Sequence, residues 1–211
     1  MIRSYGISED IPYGINTGIT VAYMASDFFH RTYLGINFGI AKYLENFGYI
    51  GGNIIAGGFY RSGVPSQGLF ESNMLYYTPL IRINRFSSRI FLRFKYREAI
   101  TRDVDITFNF GENIRNLDQV NIAGISSMVF NLEISLFSPW YLYGFRFVPF
   151  AFADIGWISS SRYAFINSNS FTVLGVGFRI RNESLAIKNI IIYFGYIPHT
   201  QQENKNYFFN Y

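Results

Sequence analysis

Cysteine is absent from the 211-residue chain, so a disulfide framework, a thiolate metal centre and a thiol nucleophile are all excluded. Histidine is scarce: His30 and His199 are the only two, too few for a multi-histidine metal site. Charge is scarce as well, at 15% of residues against about 25% in an ordinary soluble domain. The net balance of +4 comes without a long basic run or a stacking motif, which argues against a nucleic-acid partner. No stretch approaches the roughly 18 consecutive apolar residues of a membrane-spanning helix; the longest candidate, Ile190 to Ile197, ends at Pro198. The N-terminal residues Met1 to Gly6 contain no apolar core of a signal peptide.

What is abundant is aromatic and apolar: Phe 23, Tyr 17 and Trp 2 make 20% of the chain, and hydrophobic residues 49%. The apolar pattern has period two almost throughout and is punctuated by Gly, Asn, Ser and Pro, which predicts strands and turns and no helix. Arg89 to Arg97 is the clearest case, with Ile90, Leu92, Phe94 and Tyr96 on one side and Arg89, Arg93, Lys95 and Arg97 on the other. Thr172 to Arg181 repeats it, placing Arg179 on the glycine-rich side, and Tyr33 to Tyr43 and Met128 to Leu136 alternate in the same way. Tyr13 to Met24, Tyr49 to Ser62, Asn73 to Ile83, Phe145 to Ile158, Asn189 to Ile197 and the tail Asn206 to Tyr211 bring the expectation to about ten strands. Turns are expected at 26–30, 46–48, 63–68, 84–88, 141–144, 159–170 and 181–186. No linker or composition shift divides the chain, so residues 1–211 read as one domain. The segment Thr101 to Gly124 lacks a clean strand pattern, and a connection of that length is commonly functional.

Alternation alone does not say which face meets water, because a soluble sandwich buries its apolar face and a transmembrane β-barrel turns it to lipid. Three features favour the membrane. The polar sides are rich in Gly and Asn and poor in Lys and Glu. Aromatics fall near strand ends at Tyr13, Tyr23, Phe47, Tyr49, Tyr76, Tyr77, Trp140, Tyr141, Tyr143, Trp157 and Tyr163. Several strands also approach the ~9–11 residues of a tilted membrane strand. The expected fold is an all-β antiparallel transmembrane barrel.

Three blocks, and a further stretch after them, then carry a resemblance. Asn113-Ile114-Arg115-Asn116-Leu117 is placed like a Val-Arg-Gly-aromatic motif at the tip of a long loop. Val129-Phe130-Asn131-Leu132-Glu133 is similar to the strand that follows such a loop. Pro149 to Gly156 contains Phe152-Ala153-Asp154-Ile155-Gly156, a Phe-x-Asp-x-Gly pattern, and Gly175-Val176-Gly177-Phe178-Arg179 is similar to a later Gly-x-Gly-hydrophobic-Arg strand. Together they resemble the C-terminal barrel of the outer-membrane assembly factor superfamily, the BamA- and TamA-like bacterial surface antigens. Asn116 stands where that family has Gly, and Leu117 where it has an aromatic.

The resemblance implies a C-terminal portion of a sixteen-stranded bacterial outer-membrane barrel, with the loop at about 101–124 folded into the lumen. It implies that Arg115 locks the loop to Glu133 and Asp154, while Arg89, Arg93, Lys95, Arg97 and Arg179 face the lumen. The function it implies is insertion of barrel proteins into the outer membrane or translocation of polypeptide across it. The partners would be outer-membrane lipid, client or cargo polypeptides and periplasmic assembly factors. An autonomous small porin-like barrel and a soluble lipocalin-like carrier are the alternatives.

Other constellations take ordinary readings. Asp103-Val104-Asp105 with Glu112 lacks the loop pattern of a calcium site and reads as a solvated acidic turn. Gly51-Gly52 and Gly57-Gly58 lack the Lys-Ser/Thr of a phosphate cradle and suit curvature or close approach in a strand. Glu133 and Asp154 come without a nucleophile or pocket in the sequence, and no enzyme, cofactor or metal is expected.

Overall fold

The computed structural model of the chain describes residues 11–26, 30–61, 64–100, 106–109, 113–117, 121–159, 169–182, 189–198 and 207–210. Within them the period-two segments become strands: β1 (Gly14–Ala25), β2 (His30–Leu44), β3 (Gly48–Arg61), β4 (Val64–Tyr77), β5 (Ile81–Ile83), β6 (Phe86–Ile100), β7 (Ile106–Asn109), β8 (Asn121–Gly124), β9 (Ser126–Phe137), β10 (Tyr141–Leu142), β11 (Phe145–Ser159), β12 (Asn169–Asn182), β13 (Asn189–Tyr196) and β14 (Tyr207–Asn210). Ten of them pair in the order β1-β2-β3-β4-β6-β9-β11-β12-β13-β14, every pair antiparallel, with β5 and β10 added on β6 and β11; β7 and β8 pair separately. The fold is an antiparallel all-β meander. The sheet is open, since β1 and β14 do not pair with each other among the described residues.

Register assigns each strand's two sides to two faces. Glu71, Arg97 and Ser127 stand opposite one another, as do Arg93, Asn131 and Asp154, and Phe91, Glu133 and Phe152. These rows lie on the face that carries residues 113–117, here the inner face. The outer face is apolar along its length. Leu92, Leu132, Ala153 and Leu174 form one row across four strands, and Ile90, Ile134, Ala151, Val176, Phe194 and Phe209 form the next across six. Ile15, Ile19, Ile36, Phe130, Val176 and Phe178 are all exposed there.

The hydrophobic core accordingly sits on the inner face. Ile114 and Leu117 pack with Val129, Phe150, Phe152, Ile158, Phe171, Val173 and Ile197, and a second cluster joins Tyr49, Tyr77 and Phe91. Tyr49 and Tyr77 stack at 4.7 Å between ring centroids, buried on the inner face, so these two do not belong to an exposed aromatic belt. Tyr13, Tyr23, Phe47, Trp140, Tyr141 and Tyr143 are exposed near strand ends; Tyr163 lies outside the described residues.

Local departures from the sequence reading have simple causes. Residues 63–68 were expected as a turn, yet β4 begins at Val64 and includes Pro65 and Gly68. Proline sits second in β4, beside the bulge at Gln67 and Gly68, a place where a strand tolerates it. A register shift between Gly57 and Phe59 absorbs an extra residue on β4, where Gln67 and Gly68 stand against Gly58 alone and Gln67 has φ +49°. The stretch Asn73 to Ile83 is not one strand: it breaks at Thr78-Pro79-Leu80, where Thr78 caps β6 through Ile90 N–H to Thr78 Oγ1 at 3.1 Å and its own N–H to Ile90 O at 3.0 Å. Within 101–124, β7 and β8 form a four-pair ladder too short to show as alternation. The Tyr143-Gly144 turn between β10 and β11 has both φ values positive, +50° and +84°, as a tight two-residue hairpin requires.

Glycine use differs from site to site. A Cβ on Gly177 would meet Ile192 O at 2.5 Å and Phe150 Cζ at 2.7 Å, whereas one on Gly39 would meet nothing nearer than 3.5 Å. Gly177→Ala is therefore expected to destabilise the fold by about 1–3 kcal/mol through overpacking, and Gly39→Ala to leave stability within about 0.5 kcal/mol of the parent. Urea unfolding followed by circular dichroism checks the pair; equal effects of the two substitutions would contradict the packing described.

Candidate functional site

The segment 113–117 returns to the sheet as a tight turn whose side chains split by chemistry. Ile114 and Leu117 are buried, 1% and 6% exposed, and pin the turn to the core on either side of Arg115. Leu117 N–H donates to Ile114 O at 3.4 Å. Asn116 has φ +61°, the left-handed region that glycine enters freely and that asparagine tolerates better than most residues. Asparagine therefore meets the left-handed demand of this position, and Leu117 supplies apolar bulk to the core.

Between these anchors the Arg115 guanidinium reaches two strands. Its Nη1 donates to Asp154 Oδ1 and Oδ2, both at 3.0 Å, and its Nη2 to Glu133 Oε2 at 2.8 Å. Arg115 N–H adds a longer bond to Asp154 Oδ2 at 3.3 Å. Asn131 Nδ2 donates to Asp154 Oδ1 at 2.9 Å and to Asn113 O at 2.7 Å, tying the turn to β9 by its backbone. Arg179 on β12 completes the cluster, donating from Nη2 to Glu133 Oε2 at 2.7 Å and from Nη1 to Ser135 Oγ at 3.0 Å. Ser135 Oγ donates in turn to Glu133 Oε1 at 2.9 Å.

Two arginines thus meet two carboxylates, and the charge closes to zero. Asp154 is fully buried and Glu133 nearly so, so neither carboxylate would stay ionised there at low cost without these partners. The guanidinium faces are also used: Arg115 lies over the Phe152 ring at 4.2 Å and Arg179 over Phe150 at 4.5 Å. A planar fork that binds carboxylate at its edge and aromatic carbon on its face is a property of arginine that lysine lacks.

The structure therefore brings Arg115, Glu133, Asp154 and Arg179 into one network. Arg93 shares the face and stands in the row of Asn131 and Asp154, while Lys95 and Arg97 lie farther along it. Arg97 Nε donates to Glu71 Oε2 at 2.6 Å, Lys95 Nζ is 3.9 Å from Glu71 Oε1, and Asn73 Nδ2 donates to Glu71 Oε1 at 2.8 Å. Arg89 shares the face but is 2% exposed, lying 5.0 Å from the Tyr77 ring centroid; it is a buried side chain and not an open wall position. Sequence reasoning did not assign Ser135 and Asn131 a role, although same-side spacing from Glu133 was the available signal. Asp103, Asp105 and Glu112 lie outside the described residues. Among the described residues no group of three His, Asp or Glu side chains is placed to hold a metal ion.

The same face carries a cavity of about 500 Å³ across β1, β2, β3, β4 and β6, bordered by Asn113 and Asn131 on the side of the arginine network. No protein-family model matches the chain, and no match to it was found among curated proteins or solved structures. The fold and the network define the class, an antiparallel all-β sheet with a turn clamped to one face by buried ion pairs.

Proposed function

We propose that the chain is part of the wall of a bacterial outer-membrane β-barrel of the assembly-factor type, working in insertion of barrel proteins or in translocation of polypeptide. The observation that carries this reading is the clamp itself: Arg115, on a turn within a long connection, bonds both Asp154 on β11 and Glu133 on β9 across the inner face. A loop held this way would plug and brace a lumen. The outer face supports the same reading, because contiguous rows of Leu, Ile, Val and Phe exposed across at least six strands suit lipid and are costly in water. Connections also divide unevenly. The longest, 101–125, 160–168 and 197–206, leave from one end of the sheet, as extracellular loops do in such barrels.

The mechanism would rest on strand exchange at a weak seam. Among the described residues β13 and β14 share four register pairs, against fourteen between β11 and β12. A short ladder opens at lower cost and frees main-chain N–H and C=O groups for an incoming strand. Client polypeptides, outer-membrane lipid and periplasmic assembly factors are the partners this mechanism calls for, and no chemistry on a substrate enters it. A small porin-like barrel is the second reading, favoured by the cationic side chains Arg93, Lys95 and Arg97 on the inner face. A soluble lipocalin-like carrier is the third.

Membrane placement has a direct test. The expressed protein is expected in the outer-membrane fraction and, refolded in lipid, should migrate faster unboiled than boiled on a denaturing gel. A stable monomer in detergent-free buffer would overturn the membrane reading and favour the soluble carrier.

A further inference from the structure

At the end of the sheet opposite the long connections the strands are joined by short hairpins, and two of these meet. β5 turns into β6 through Asn84 and Arg85, and β10 into β11 through Tyr143 and Gly144. The Phe86 and Trp140 rings touch edge to face at 5.9 Å between centroids, which makes one surface of the two tips. Trp140 is fixed there by its backbone, since its N–H donates to Ser138 Oγ at 3.4 Å and that hydroxyl donates to Phe147 O. Register gives the surface a direction. Ile81 stands opposite Ser88 and Ser88 opposite Leu136, while Ile83 stands opposite Phe86, so the two isoleucines carry the apolar outer face to its margin.

The side chains at this margin are of two kinds. Ile81, Ile83, Trp140, Tyr141, Leu142 and Tyr143 are all exposed, Tyr143 at 90%. Arg82 alternates with the isoleucines and Arg85 sits in the turn, both exposed. Neither hairpin brings acid: no Asp or Glu occurs in residues 79–97 or 134–153. Among the described residues, the exposed carboxylate at this end is Glu45, on the turn between β2 and β3. Water alone leaves the apolar half of such a patch costly, and hydrocarbon alone leaves the arginines costly. The boundary between acyl chains and phosphate suits both. There an indole or phenol ring has one apolar and one wet neighbour, and a guanidinium meets phosphate with its planar fork.

We propose that the β5–β6 and β10–β11 hairpins form a docking surface for anionic phospholipid, with Trp140, Leu142 and Tyr143 at the acyl boundary and Arg82 and Arg85 toward the phosphate groups. The inference rests on the outer-membrane reading and deepens it, because it names the lipid that this end of the sheet selects. The local excess of positive charge favours an anionic over a zwitterionic headgroup, by about fivefold for each arginine at the membrane surface.

The two tryptophans of the chain report on opposite ends: Trp140 lies in the patch, and Trp157 lies two residues from the far end of β11. Trp157→Phe and Trp140→Phe proteins are refolded in vesicles of equimolar phosphatidylglycerol and phosphatidylcholine, with bromine on the chains of one lipid or the other. Quenching of the remaining tryptophan gives the relative affinity for the two lipids at its position. Trp140 is expected to favour phosphatidylglycerol several-fold, less so as salt rises. Arg82→Gln and Arg85→Gln should each lower that preference, and the double variant should bring it close to one. The double lysine variant should keep most of it, since the charge remains. Trp157 should show a preference near one that the arginine variants do not move. Unaltered heat-modifiable gel mobility reports that each variant retains its fold. Equal quenching of Trp140 by both brominated lipids would overturn the assignment and leave the patch to a protein partner. A preference that survives the double Gln variant, or one equally strong at Trp157, would overturn it as well. Absence of quenching of either tryptophan by either lipid would overturn the outer-membrane reading, and this inference with it.

Discussion

Asp154→Ala is expected to cost about 3–5 kcal/mol of stability, the largest effect of any single substitution in the arginine network. The cost has two parts. Removing the carboxylate leaves Arg115 and Arg179 sharing Glu133, a surplus positive charge among Phe150, Phe152 and Ile114. It also strips Asn131 Nδ2 of one of its two acceptors. Arg115→Ala leaves the fully buried Asp154 with Asn131 as its remaining side-chain donor among the described contacts, while Glu133 keeps Arg179. Each single variant therefore strands a charge, and the double variant Arg115→Ala/Asp154→Ala strands none. The double should be less destabilised than the sum of the singles by about 1–3 kcal/mol, measured by urea unfolding in micelles. Additivity within about 0.5 kcal/mol would mean that the contact contributes nothing as a pair. Arg115→Lys is expected to recover only part of the loss, because an ammonium cannot bridge Asp154 and Glu133 with a planar fork.

The strands were legible because each has two chemically different sides, and a period of two survives in sequence wherever both sides are committed. Arg89 to Arg97 shows this best, since every odd residue but one is basic and every even residue is apolar; the exception, Phe91, faces inward beside Tyr77. Where one side is not committed, legibility fails. Residues 64–68 of β4 read as a turn because Pro65 and Gly68 are turn formers, and the strand accommodates them through a bulge that sets Gln67 and Gly68 against Gly58 alone. β7 and β8, four residues each, carry too few alternations to register.

The clamp was legible differently. Nothing in composition distinguishes Arg115 from a solvated loop arginine; its contacts were expected from the resemblance of three short blocks to a family pattern. What sequence does not convey is the division of labour: Arg179 neutralises Glu133, Asn131 carries the turn's backbone, and two phenylalanines fill the guanidinium faces. Those roles depend on which residues of β9, β11 and β12 come into register, information that exists only once Asp154 stands opposite Asn131 and Phe152 opposite Glu133. The positive φ at Asn116 is similar: asparagine permits it, and the burial of Ile114 and Leu117 on either side enforces it.

The outer face gives the second large effect, one whose size depends on the solvent. Leu92 is 40% exposed in a row with Leu132, Ala153 and Leu174, and Val176 is 58% exposed in the next. If that surface meets water, an arginine at either place is a surface substitution worth about 0.5 kcal/mol or less. If it meets lipid, the charge enters hydrocarbon, and Leu92→Arg or Val176→Arg should cost about 2–4 kcal/mol at mid-membrane. Lys95→Leu, three residues along β6 and on the inner side, should cost much less in either case, since Arg97 remains at 2.6 Å from Glu71. The measurement is reversible unfolding of the three variants in lipid vesicles. A large loss for Leu92→Arg and Val176→Arg beside a small one for Lys95→Leu is the expected result. Comparable losses at Leu92 and Lys95 would reject lipid as the solvent of the outer face, because only a nonpolar medium separates those two substitutions by more than their packing does.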